Sequence, residues 1–270
     1  MTRIVPIKQP SRLRAALIIC LACGLAACPA STPTVPYPAY VQTDELSDVF
    51  LATLPGVRAK RFAEDYSTRT GRYRVDLPTD WTGTSGGVPD ASLEIFVLAG
   101  ELIVGDVKLI TGGYAYLPSG SLGFRLSSPA GARVLYILSG PDPTAVIRAP
   151  ILHDGVAVEW TDEEPGRSVR VLRADPGSGA RTWLLKTTPA AAAQWRTSST
   201  SREGYLVSGS ESISECVEGK EHAGTYTRGG YFLRSPGAIF GGGESGVSQE
   251  SVWFLREVSK GTEIVVSDCG

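Results

Sequence analysis

Histidine is nearly missing: the 270 residues contain two, His153 and His222. A Ser-His-Asp nucleophile needs an imidazole held between its partners. None of the serines, Ser201 and Ser208 included, has one nearby in sequence. Basic clusters are missing as well. The formal net charge is −2, and Arg3, Lys8, Arg12 and Arg14 sit in a stretch that reads as a removable leader. Without those four, 22 basic residues face 28 acidic ones, a net of −6. A mildly acidic chain with no basic stripe has no electrostatic footprint for nucleic acid. A long apolar run is missing too, since Ala15 to Ala27 falls short of the roughly 20 residues a permanent span requires. The run Gly241-Gly242-Gly243 lacks the Gly-Lys-Ser/Thr ending and following helix of a phosphate loop, so it reads as a flexible loop.

What is present is an ordinary apolar content of 42%, enough for a real core, with Gly 31 and Pro 18 to punctuate many turns. The length suits one large or two modest domains. The N-terminus has a positive n-region, the apolar run AALIICLACGLAA, and then Leu25-Ala26-Ala27-Cys28. That tetrapeptide resembles the lipobox of bacterial lipoproteins, which implies cleavage before Cys28 and a diacylglycerol on its thiol. An ordinary secretory signal or a short anchor is the alternative. Two or three acyl chains hold a protein stably on a bilayer, where one does not. PASTPTVPYPAY, from Pro29 to Tyr40, reads as an extended, semi-rigid tether. Pro29 rather than Asp follows Cys28. In the lipoprotein resemblance this implies the outer rather than the inner membrane of a bacterial envelope, facing the periplasm or the surface. The expected division is residues 1–27 signal peptide, 28–44 lipidated cysteine and tether, 45–145 one β domain and 146–270 a second.

The body reads as strands. Thr43 to Leu54 has a helical spacing of apolar residues (Leu46, Val49, Phe50, Leu54) and predicts one short helix. After it, period-two patterns dominate. In GRYRVDL, Tyr73, Val75 and Leu77 share a face. Glu94 to Leu98 and Glu101 to Val104 predict strands around Ala99-Gly100, and further short strands run to Leu138. The second half repeats the order. Glu203 to Gly209 echoes Glu94 to Gly100, Gly229-Gly230-Tyr231-Phe232 echoes Gly112-Gly113-Tyr114-Ala115, and Val252 to Leu255 echoes Val134 to Ile137, with an insertion near Cys216 to Ala223. Matches in one order at similar spacing indicate duplication. Short strands at this spacing indicate an antiparallel sandwich or barrel.

Each half resembles a cupin. Glu94 and Gly100, then Gly112, Pro118 and Gly120, match that family's two motifs in the first copy; Glu203, Gly209, Gly230 and Pro236 match them in the second. The chain looks like a bicupin of the anti-sigma-factor type, and like cupin-like bacterial lipoproteins whose domain has no assigned function. The resemblance implies an all-β fold: two tandem cupin-type double-stranded β-helix (jelly-roll) barrels after a signal peptide and tether. The ligand positions are changed. Val88 and Asp90, Thr197 and Ser199, and Gly123 and Gly241 stand where the family carries its metal-binding histidines, while transition metals want imidazole.

Asp90 and Glu94 could pair at one barrel mouth for acid/base work or for a hard cation. The plainer reading is a satisfied internal carboxylate. Glu203, with Thr197, Ser199, Trp195 and Tyr205, suits hydrogen bonding to a polar ligand, against the same plainer reading. Tyr114, Tyr116, Phe124 and Tyr136, and then Trp183, Trp195, Tyr205, Tyr231 and Trp253, either line a ring-stacking cavity or form ordinary core. Cys216 and Cys269 remain once Cys28 carries lipid, and in an oxidising compartment the even pair suggests a disulfide. The expectation is a metal-free binder of a small carbohydrate or carboxylate, with no cofactor and the copy-two pocket preferred, although a divalent metal stays open. A cupin isomerase, lyase or dioxygenase with an atypical metal site is the rival, and a scaffold that pairs through cupin strands as a homodimer is the third class.

Overall fold

Alternation of apolar and polar residues predicts strands with one covered face, but most central strands here are apolar on both. The computed structural model describes residues 40–65, 70–85, 91–121, 123–155 and 158–270. Cys28, the tether up to residue 39, Val88 and Asp90 lie outside the described residues. The first strands are β1 (Val41–Gln42), β2 (Asp48–Val49), β3 (Arg58–Asp65), β4 (Thr70–Leu77), β5 (Trp81–Thr84), β6 (Ser92–Val104), β7 (Val107–Ile110), β8 (Tyr114–Leu117), β9 (Arg125–Ser128), β10 (Ala132–Ser139) and β11 (Ile151–His153). The rest are β12 (Thr161–Glu164), β13 (Arg167–Ala174), β14 (Arg181–Thr187), β15 (Arg196–Ser198), β16 (Arg202–Ser208), β17 (Ser210–Val217), β18 (Lys220–Thr227), β19 (Gly230–Arg234), β20 (Ile239–Phe240), β21 (Ser251–Glu257) and β22 (Glu263–Val265).

Two large sheets carry one repeated order. The first runs β11-β8-β6-β10-β4-β3-β2 and the second β1-β19-β16-β21-β14-β13-β12. The segments that echo each other in sequence therefore occupy equivalent strands. A further sheet, β18-β17-β20-β15-β22, covers the second half, as β5, β7 and β9 cover the first. The halves exchange edges. β1 pairs with β19 (Val41↔Tyr231), and β11 pairs with β8 (Ile151↔Tyr116). Residues 40–44, which the sequence assigns to the tether, are thus built into the fold.

The helix expected over Thr43 to Leu54 is absent. A single 3-10 turn, Thr43–Glu45, is followed by β2, and Phe50 of the supposed apolar stripe is exposed. Tertiary contacts override the local pattern: the Thr43 N–H donates to the Gly229 carbonyl at 3.0 Å, and Arg74 takes the Asp44 carboxylate at 2.6 Å. The two strands expected around Ala99-Gly100 are one strand, β6, bent between sheets. Its first part pairs with β8 and β10, its second with β7 and β9. Gly100 makes the bend at φ +77°, where a Cβ would lie 2.2 Å from the Gly131 carbonyl oxygen. No other residue fits that conformation and that gap.

Three cores follow from the alternation. Tyr73, Val75, Leu77, Leu93, Ile95 and Val97 fill the first half. Val169, Trp183, Leu206, Phe232, Trp253 and Leu255 fill the second. Between the two large sheets lies a third, with Phe62, Phe96, Leu98, Tyr114, Tyr205, Tyr231 and Phe254. Phe62 stacks on Tyr231 there, with ring centroids 4.2 Å apart.

Cys216 of β17 and Cys269 are bonded, with sulfurs 2.14 Å apart and Cα atoms 5.4 Å apart. The bridge ties the β17–β18 hairpin to the C-terminal end and closes a loop of 53 residues. Cys269→Ser is expected to cost about 2–4 kcal/mol, read as a lowered urea midpoint. Thiol labelling of both cysteines in the unreduced protein would overturn the bridge.

Candidate functional site

On β6, Leu93, Ile95 and Val97 point into the first half, so Glu94 points the other way, toward the second sheet. It is 1% exposed. Tyr114 Oη and Thr182 Oγ1 donate to its Oε2 at 2.6 and 2.5 Å, and Arg256 Nε donates to its Oε1 at 2.5 Å. Glu203 faces it from β16. Arg256 Nη1 reaches Glu203 Oε1 at 2.8 Å, while Tyr231 Oη (3.0 Å) and Arg72 Nε (2.8 Å) reach Oε2. One guanidinium thus bridges two buried carboxylates, one from each half. Burial acts to raise the pKa of Glu94, but Arg256, Arg173, Thr182 and Tyr114 outweigh it and hold the group near 2. At Glu203 burial is likewise outweighed, by Arg72, Arg256 and Tyr231, and its pKa is lowered.

Glu94 and Glu203 are therefore satisfied internal carboxylates in the junction between the sheets. Tyr205 belongs to the same packed junction. Ser199 is exposed, and its Oγ accepts from the Thr262 N–H at 2.9 Å. Trp195 packs against Gly242. Thr197 alternates with Arg196 and Ser198, which are the buried side chains of β15, and its Oγ1 is buried without a hydrogen bond. Tyr205 lines a narrow cleft with Glu203, whereas Thr197, Ser199 and Trp195 do not. His153 Nε2 lies 3.1 Å from the Leu172 carbonyl oxygen, and His222 is exposed.

The open space lies on the opposite face of the same strands. A cavity of about 240 Å³ sits between the second large sheet and its covering sheet. Its walls include Trp183, Phe232 and Trp253, and its charged lining brings Arg167, Arg196, Arg202 and Arg234 from four strands together with carboxylates such as Glu164, Glu257 and Glu263. Carboxylates meet most of these guanidiniums. Arg202 donates to Glu257 at 2.7 and 3.0 Å and also pairs with Glu263. Arg196 pairs with Glu164 (2.8 Å) and Glu263 (2.9 Å), and Arg234 holds buried Glu215 through two nitrogens. Arg167 is the most weakly paired: its Nη1 donates to Glu164 at 3.3 Å, and its Nε, like that of Arg196, is buried without a hydrogen bond. Its pKa is lowered, first by burial and then by the like charge of Arg196. An anion placed between Arg167 and Arg196 removes both penalties.

The cavity arginines carry no motif, and each stands on a different strand. Among the described residues no group of three or more His, Cys, Asp or Glu is placed to hold a metal ion, and no histidine lines this cavity.

The paired sheets, bent strands and enclosed cavity define an all-β, cupin-type fold. Solved structures of the same shape agree. A protein provisionally called a dioxygenase, from Nostoc punctiforme, matches with TM-score 0.67 at 16% identity, over 84% of this chain and 86% of that one. The E. coli protein Ylba, of the DUF861 family, matches with TM-score 0.65 at 14% identity over 80% and 89%. A variant of Bacillus subtilis oxalate decarboxylase matches with TM-score 0.60 at 12% identity over 84% and 78%. These likenesses show the fold alone. The chain belongs to the DUF4437 family, described as a domain of unknown function, whose model matches residues 55–262. No curated protein matches it.

Proposed function

We propose that this chain is a lipid-anchored bicupin of the bacterial cell envelope that binds a small carboxylate, acidic sugars included, without a transition metal. The repeated strand order supports two tandem barrels. The observation that carries the binding reading is Arg167, a cavity guanidinium left short of acceptors beside a second cation and above indole walls. Guanidinium groups take carboxylates through paired hydrogen bonds, and the face of an indole takes a sugar ring or an apolar edge. A carbohydrate without charge would leave the Arg167–Arg196 repulsion in place.

Titration calorimetry of the purified chain against galacturonate, malonate and galactose tests this. Saturable binding of an acid with no heat from galactose is expected. Galactose binding as tight as galacturonate would sink the carboxylate reading. Stoichiometric Fe, Mn, Ni or Zn surviving dialysis would replace the metal-free reading with that of a cupin metalloenzyme.

The anchoring rests on the order of n-region, apolar run and Leu25-Ala26-Ala27-Cys28. Cys28→Ser is expected to move the chain out of the outer-membrane fraction and to abolish its labelling by radioactive palmitate. Retention of label in the variant would place the lipid elsewhere.

A further inference from the structure

A second cavity, of about 350 Å³, opens at the junction of the halves and shares no residue with the first. Thr70 and Arg72 come to it from β4, Ser92 from β6, Tyr116 from β8, Arg173 from β13 and Arg256 from β21. Three guanidiniums meet there. Arg256 is saturated by Glu94, Glu203 and Ser139 Oγ. Arg72 pairs with Glu203. Arg173 is different. It is 5% exposed and lies flat on Tyr116, 4.3 Å from the ring centroid. Its Nη2 lies 3.7 Å from Glu94 Oε1, and its Nε is buried without a hydrogen bond. Glu94 Oε1 accepts from Arg256 at 2.5 Å and lies beyond hydrogen-bond distance of Arg173.

Buried Arg173 and Arg256 and half-buried Arg72 meet buried Glu94 and Glu203, which are both held ionised. Asp142 lines the mouth, but its Oδ1 is occupied by the Thr144 N–H and hydroxyl and the Ala145 N–H. Asp175, behind the cleft, accepts from the backbone N–H groups of Val146, Ile147, Gly177 and Ser178. Arg173 is left with an unpaired Nε, its guanidinium over the Tyr116 ring, on the wall of a cleft that Thr70, Ser92 and Ser139 also line. A guanidinium fixed in this way is preorganised for two parallel hydrogen bonds to an oxyanion.

We propose that this junction cleft is a binding site for a small oxyanion, a carboxylate or a phosphate, with Arg173 as its principal contact and Arg72 beside it. The site takes its cations from both halves, so occupancy would hold β4 of the first against β13 and β21 of the second. Binding to the folded chain alone then raises the unfolding temperature with ligand concentration.

The test is differential scanning fluorimetry and calorimetry on the full chain, titrated separately with inorganic phosphate and with malonate. Ionic strength is held constant with chloride. The expected result is a saturable rise in melting temperature with at least one of the two, and the stronger arm names the source. Arg173→Gln should weaken that binding at least tenfold, while Arg133→Gln, an exposed arginine that lines neither cavity, should leave it unchanged. If Arg173→Gln does not fold, Arg173→Lys keeps the charge without the paired donors and should weaken binding several-fold. No saturable effect from either anion, or binding by the folded Arg173 variant as tight as the parent's, overturns the site. Loss of binding in Arg167→Gln alone would assign the anion to the first cavity and overturn this one.

Discussion

Arg256→Met is expected to destabilise the folded chain by about 3–5 kcal/mol, the usual cost of removing one partner from a buried ion pair. Arg256 is the group shared by Glu94 and Glu203. After its loss Glu94 keeps Tyr114 and Thr182 but has no cation nearer than Arg173 at 3.7 Å. Glu203 keeps Arg72 and Tyr231. Burying a carboxylate with so little compensation is costly. Replacing the whole cluster is a different matter. Glu94→Leu, Glu203→Leu and Arg256→Met together leave no stranded charge, so most of the loss should be regained. Urea denaturation of the two variants decides the point: a single variant within about 1 kcal/mol of the parent would show that the bridge does not act as one unit. The acid response gives a second readout. The folded pKa of Glu94 lies near 2, below its ordinary value of 4.5. Its stabilisation is therefore complete above about pH 4.5 and is lost as pH falls toward 2. Glu203, also lowered, adds to the same window. In Arg256→Met the carboxylates hold their protons more tightly, so acid unfolding sets in at higher pH.

The duplicated frame was legible because turns are chemically explicit. Gly100 and Gly209 both sit at positive φ against a neighbouring carbonyl, Gly131 and Glu250 respectively, and only glycine tolerates that approach. Hence the two strands they bend could be aligned from sequence alone. The faces of those strands were not legible. β6 reads Leu93-Glu94-Ile95-Phe96-Val97-Leu98, buried on both sides, because it is sandwiched between two cores. Alternation tells which residues share a face but not which face encloses the cavity. The cupin resemblance put Glu94 and Glu203 inside the barrels, and the structure turns both toward the junction. The short helix failed for another reason: residues 41 and 42 pair with Tyr231 and Gly230, nearly the length of the chain away. Such a partner outweighs local spacing. The cavity arginines escaped notice because each looks like a solvated surface charge until Trp183, Phe232 and Trp253 are seen closing over them.

Arg167→Gln should separate binding from stability. Most binding-site arginines are also structural: Arg202 and Arg196 each neutralise two glutamates, so their loss strands buried charge. Arg167 neutralises little. Its Nη1 donates to Glu164 at 3.3 Å, its Nε is unpaired, and Arg196 is close enough to lower its pKa. Removing its charge relieves that repulsion and the burial penalty, so the urea midpoint should stay level or rise slightly. The carboxylate ligand, in contrast, loses its principal charge-assisted hydrogen bonds, which are worth about 2–3 kcal/mol, or roughly 30- to 150-fold in affinity. A protein that is more stable and binds its ligand worse is the signature of a group kept in strain for function. Calorimetry with the acid that binds the parent, run beside urea denaturation, reads both quantities. Affinity unchanged within threefold would remove Arg167 from the site. A midpoint that falls by as much as the affinity would make it an ordinary structural arginine. Either result would move the search for the ligand to the junction cleft, where Arg173 Nε is buried without a hydrogen bond.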